Sequence, residues 1–79
     1  MQEEIIEILE DINPEVDYKT CTTLIDDRHI DSLGMVSLVA ELEDAFDITI
    51  PAVEVVAENF NSAAAITKLV ARLVEEEED

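Results

Sequence analysis

Ile5, Leu9 and Ile12 recur at i, i+4 and i+7 with Ile6 beside them, the stripe of a helix that buries one face. Gln2, Glu3 and Glu4 open it, and their acids lie where the helix dipole favours negative charge. Asn13-Pro14 ends it, because the residue before a proline is pushed out of the α region. Residues 13–31 have no sustained period and read as a long loop, with Tyr18, Leu24, Ile25 and Ile30 as apolar anchors onto the helices. A second helix is predicted from 32 to about 45. Leu33, Val36, Val39, Leu42 and Phe46 form its expected inward stripe, and Leu38 broadens that stripe. Asp31 stands where an N-cap belongs, worth about 1 kcal/mol. Residues 47–51 read as an extended connector whose final proline suits the opening of a new turn.

A short third helix over about 52–58 is expected to bury Val53 and Val56. Asn61 or Ser62 then caps a fourth helix with Ile66, Leu69, Val70 and Leu73 inward. Lys68 and Arg72, four apart, share a face of it. The acids of 75–79 oppose the dipole at that end, so this tail should fray. The pattern therefore predicts an all-α fold. It is a small four-helix bundle, three principal helices plus one short one, with a long loop between the first two.

Composition narrows this picture. At 79 residues the chain is one domain, 1–79, too short for a layered α/β enzyme with its own substrate cleft. One Gly and two Pro favour helices over many-turned β structure. The formal charge is −17, with 21 acidic residues against four basic ones. That sign argues against nucleic acid and anionic membranes and favours partners with basic surfaces. No run approaches the roughly 18 apolar residues of a membrane span, and the acidic start differs from the basic start of a secretory signal. Cys21 is alone, which excludes an internal disulfide and suits a reducing cytoplasm; it reads as a small, partly buried loop side chain. A monomer is expected.

Catalytic residues are not expected, and neither are metal ligands. His29 and Cys21 are single, and there is no Gly-rich phosphate loop, CxxC pair or EF-hand spacing. One place is chemically suggestive, Asp31-Ser32-Leu33 where the loop meets the second helix. A phosphate on Ser32 would lie near unpaired N–H groups and the positive end of the dipole, although Asp-Ser before an apolar helix is also a plain capping signal.

The stretch Ile30-Asp31-Ser32-Leu33, followed by Leu42-Glu43-Asp44-Ala45-Phe46-Asp47-Ile48-Thr49-Ile50-Pro51, resembles the acyl carrier protein family. There a D-S-L serine opens the second helix and L-E-x-x-F-x-[IV]-x-[IV]-P closes it. The likeness reaches upstream to Leu24 and Asp27 and downstream to Phe60 and Ile66. The resemblance implies that Ser32 receives 4'-phosphopantetheine from coenzyme A through a separate, metal-dependent transferase, with Asp31 helping to engage that transferase. The arm's thiol would hold cargo as a thioester for partner enzymes with basic surfaces. The partner face implied on the second helix comprises Leu33, Gly34, Ser37, Ala40, Glu43 and Asp44, with the third helix beside it. The protein itself would catalyse nothing.

Fatty-acid carriers usually place Leu-Gly where this chain has Arg28-His29, and an acid just after D-S-L where it has Gly34. Asp31-Ser32-x-Gly34-x-Val36, with Phe60-Asn61-Ser62, is partly similar to D-alanyl carrier proteins, although their Trp-Asn-Thr-Pro is here Phe60-Asn61-Ser62-Ala63. Three cargo classes stay open: the acyl chains of fatty acid or specialised metabolite synthesis, an aminoacyl group delivered by an adenylating ligase for cell-wall polymer modification, and a polyketide or peptide intermediate. From another class, an unmodified acidic interaction module would use Asp31-Ser32 as a cap alone. Arg28 and His29 read as an exposed pair balancing Asp26 and Asp27, with steadying of a phosphodiester on Ser32 as the alternative role.

Overall fold

The computed structural model describes residues 1–77, and its regular elements are all helical. Helix α1 spans Gln2–Ile12, α2 Ser32–Phe46, α3 Ala57–Phe60 and α4 Ala63–Glu77, with a 3-10 turn at Ala52–Glu54. Helix α1 packs on both α2 and α4, α3 lies on α4, and α4 also touches α2. Ile5, Leu9, Leu24, Leu38, Leu42, Phe60, Ile66 and Val70 are fully buried at the centre. The expected small bundle is therefore the fold.

Each helix end follows from local chemistry. Asn13 takes an extended conformation and closes α1 with its N–H on the Leu9 carbonyl. Helix α2 ends at Asp47, held left-handed at φ 53°, while the Ile48 N–H returns to the Glu43 carbonyl. Asp tolerates that conformation better than a branched residue would. Ser62 caps α4, its Oγ accepting the Ala65 N–H at 3.0 Å. Helix α4 continues through Glu77, so Glu75 and Glu76 of the expected frayed tail lie inside it; Glu78 and Asp79 fall outside the described residues.

The long loop is anchored as its apolar residues suggest. Tyr18, Leu24 and Ile30 are buried and Ile25 is half-buried. Asn61 fastens it from across the fold: its carbonyl accepts the Leu24 N–H, and its Oδ1 accepts those of Ile25 and Asp26 at 3.0 and 3.1 Å. Tyr18 fastens the other end, donating to the Asn13 carbonyl at 2.6 Å, with the Leu9 carbonyl 3.1 Å away.

Burial, helped by Cys21 and Glu10, raises the Tyr18 phenol above its ordinary value. The folded chain keeps this proton where the unfolded chain has lost it. The resulting stabilisation is complete below about pH 10 and declines as pH rises beyond it. Tyr18→Phe should cost about 1 kcal/mol at neutral pH through the lost hydrogen bond. It should also flatten the alkaline decline; urea titrations at neutral pH and above pH 10 that gave parallel losses for both proteins would contradict this.

Two expectations are corrected. Leu33 and Val36 do not face inward: they are 80% and 69% exposed, and the inner stripe is Leu38 and Leu42 with Met35, Val39 and Phe46 half-buried. The third helix is also shorter than 52–58. Its first part is a 3-10 turn, Val55 and Val56 leave the helical region, and α3 begins only at Ala57. Val53 and Val56 are exposed there. The β-branched run propagates a helix poorly, and side-chain bonds hold the break. Asn59 Nδ2 donates to the Glu54 carbonyl at 2.9 Å, and Arg72 reaches the Glu54 carboxylate at 2.8 Å.

Candidate functional site

The start of α2 presents a serine in a fixed frame. Asp31 is extended, with ψ −175°, and its Oδ1 accepts the Gly34 N–H at 2.7 Å. Its carbonyl accepts the Met35 N–H, the first bond of the helix. Ser32 is thus the first helical residue and is exposed to solvent. Capping and attachment chemistry do not compete here: Asp31 supplies the cap, which leaves the Ser32 hydroxyl available.

The proposed face of α2 divides by geometry. Leu33, Ser37, Ala40 and Asp44 recur at i, i+4, i+7 and i+11 and are all exposed, one outward stripe beginning beside Ser32. Val36 stands next to that stripe. Gly34 is half-buried instead, and a Cβ there would meet Ile30 at 3.1 Å and Ile12 at 3.2 Å. Glycine therefore lets α1 and the loop approach the first turn of α2. Glu43 is half-buried, and its Oε2 accepts the Ile50 N–H at 2.8 Å, tying α2 to the connector after it.

Beside Ser32 lies a half-open cleft of about 350 Å³, walled by Ile25, Arg28, Ile30, Asp31, Ser32 and Met35. It offers apolar wall, one cation and the serine hydroxyl together, which suits a group that is phosphate at one end and organic beyond. A larger groove of about 460 Å³ between α3 and α4 is lined by Glu58, Asn59, Ala65, Lys68, Leu69 and Arg72. It contains none of the residues at the start of α2, and chemistry rather than size favours the smaller cleft. Met35 was not among the expected site residues. Its spacing with Leu38 and Leu42 is the sequence signal that marks it for the inner side of α2.

The family model described as "Phosphopantetheine attachment site" matches residues 3–70. The chain belongs to this family. Its prosthetic group is covalently bound phosphopantetheine, and its members carry substrates without catalysing their conversion. The D-alanyl carrier protein of Streptococcus sanguinis is 38% identical over 71 residues, covering 89% of this chain and 90% of that protein. The D-alanyl carrier proteins of two Lactococcus lactis subspecies, lactis and cremoris, are 31% and 32% identical, covering 100% of this chain and 99% of theirs. No solved structure matches. For this carrier domain the exposed serine at the start of α2, the cap behind it and the adjoining cleft fit an attached phosphodiester.

Proposed function

We propose that Ser32 carries the phosphopantetheine arm and that the arm's thiol holds D-alanine as a thioester. The observation that carries the attachment is the exposed Ser32 hydroxyl, freed by the Asp31 cap and set at the mouth of a cleft. On loading, Ser32 Oγ forms a bond to the phosphorus of coenzyme A that joins the arm, and the pyrophosphate link breaks to release the adenosine bisphosphate. The serine proton passes to the transferase or solvent. Asp31 orients the first turn for that transferase.

The cargo assignment is supported by the D-alanyl carrier relatives, each aligned over about nine-tenths or more of this chain. An adenylating ligase would activate the amino acid's carboxyl group. The arm's thiol would then take the acyl group while AMP leaves. Leu33 and Val36 expose apolar side chains on α2 one and four residues after Ser32, a surface for docking, and the net charge of −17 suits partners with basic surfaces. In this reading the protein works as a cytoplasmic monomer that meets transferase, ligase and acceptor enzyme in turn.

The test is intact mass after incubation with coenzyme A, magnesium and a broad-specificity transferase, followed by ATP and a D-alanine-activating ligase. One arm and then one alanyl group are expected. Loading by a fatty-acyl ligase in place of the alanine ligase would move the cargo to fatty acid or specialised acyl synthesis. No arm at all, with a known carrier loaded alongside, would favour the unmodified interaction module.

A further inference from the structure

Arg28 is the one basic residue lining the cleft beside Ser32. Its backbone is left-handed, φ 59°, a region disfavoured for so large a residue. A tight turn holds it there: the Asp27 N–H reaches the Thr23 carbonyl, the Arg28 N–H reaches that of Ile25, and Thr23 Oγ1 donates to Asp27 Oδ2 at 2.6 Å. Each neighbouring carboxylate has one oxygen bonded to a group other than Arg28. Asp26 Oδ2 accepts from Asn61, Asp27 Oδ2 from Thr23, and Asp31 Oδ1 from the Gly34 N–H.

Among the described residues Arg28 forms no ion pair, so the expected balancing of Asp26 and Asp27 is not made at contact distance. His29 is exposed, and its carbonyl accepts from Asn13 Nδ2 at 2.8 Å. One of four basic residues in a chain of net charge −17 thus stands unpaired beside the attachment serine.

We propose that Arg28 is a positioning residue for the arm: its guanidinium pairs with the phosphodiester on Ser32 and roots the arm in the cleft against Ile25, Ile30 and Met35. The inference rests on Ser32 being the attachment residue. A phosphodiester there carries negative charge next to Asp31 in a strongly negative domain, and one planar guanidinium that can bond two of its oxygens offsets that repulsion. The pair is at the surface, so salt weakens it. A partner that draws the arm out must first break it.

The test uses holo-protein, with full loading verified by mass for the parent, Arg28→Ala, Arg28→Lys, Arg28→Gly and Lys68→Ala. Arg28→Gly is included because glycine adopts the positive φ freely, so the turn is retained when the charge is removed. The phosphorus resonance should move toward that of free phosphopantetheine in Arg28→Ala and Arg28→Gly, partly recover in Arg28→Lys, and stay at the parent position in Lys68→Ala. Added salt should shift the parent resonance in the same direction and leave that of Arg28→Gly in place. The Arg28 Nε–H resonance should differ between apo- and holo-protein.

If fully loaded Arg28→Gly keeps the parent phosphorus resonance, the positioning role is overturned and the Ser32 assignment stands. If the parent gains no arm while a known carrier does, both fall.

Discussion

Ser32→Ala should gain no mass when incubated with coenzyme A, magnesium and transferase, while the parent gains one phosphopantetheine. The loss is total because the substitution removes the only atom to which the phosphorus could bond at that position. Its interpretation is clean because little else depends on the hydroxyl. Asp31, one residue earlier, holds the cap on the Gly34 N–H. Ser32 is exposed at the first helical position, and alanine is the better helix former. Stability should therefore change by no more than about 0.5 kcal/mol. Thermal melting beside the mass measurement separates lost chemistry from lost fold. An arm still gained by folded Ser32→Ala would move the attachment to another hydroxyl and remove the basis of the Arg28 assignment.

Phe60→Ala should have the largest effect on stability. Phe60 ends α3 and is fully buried in a core otherwise made mostly of aliphatic side chains. Truncation loses its transfer free energy and leaves a cavity, about 3–5 kcal/mol together. A domain of this size has only a small reserve, and each kcal/mol shifts its melting by roughly 4–8 °C. Melting should therefore fall by tens of degrees, while Val53→Ala, at a site 82% exposed, should leave it nearly unchanged. The damage should also reach the site, because Asn61 follows directly and holds the Leu24, Ile25 and Asp26 N–H groups of the loop. Amide exchange at those residues should accelerate in Phe60→Ala. A variant melting within a few degrees of the parent would contradict the central place given to Phe60.

What the chain determined by itself is mostly local. Asn13-Pro14 stops α1 whatever surrounds it, because the restriction acts on neighbouring backbone atoms. Asp31 caps α2 and Ser62 caps α4 through bonds to N–H groups three residues on, so both helix starts and the exposure of Ser32 were legible. Helix α4 carries one apolar row, Ile66, Leu69, Val70 and Leu73, and that row is the buried one.

Tertiary structure decided what local pattern leaves ambiguous. Helix α2 is apolar on two sides, with Leu33 and Val36 on one and Leu38 and Leu42 on the other. Periodicity finds both rows but cannot say which one α1 and α4 will cover. Helix α3 is too short for its own period to speak, and the turn before it is held by Arg72, 18 residues beyond Glu54. The cleft is likewise nonlocal. Arg28 reaches it from a left-handed turn fastened by Asn61, 35 and 36 residues beyond the N–H groups it binds, and Met35 reaches it from the inner side of α2. Caps and stops act within a few residues and can be read from adjacent letters, whereas the choice of a buried face and the closing of a loop depend on partners that only the folded chain brings within reach.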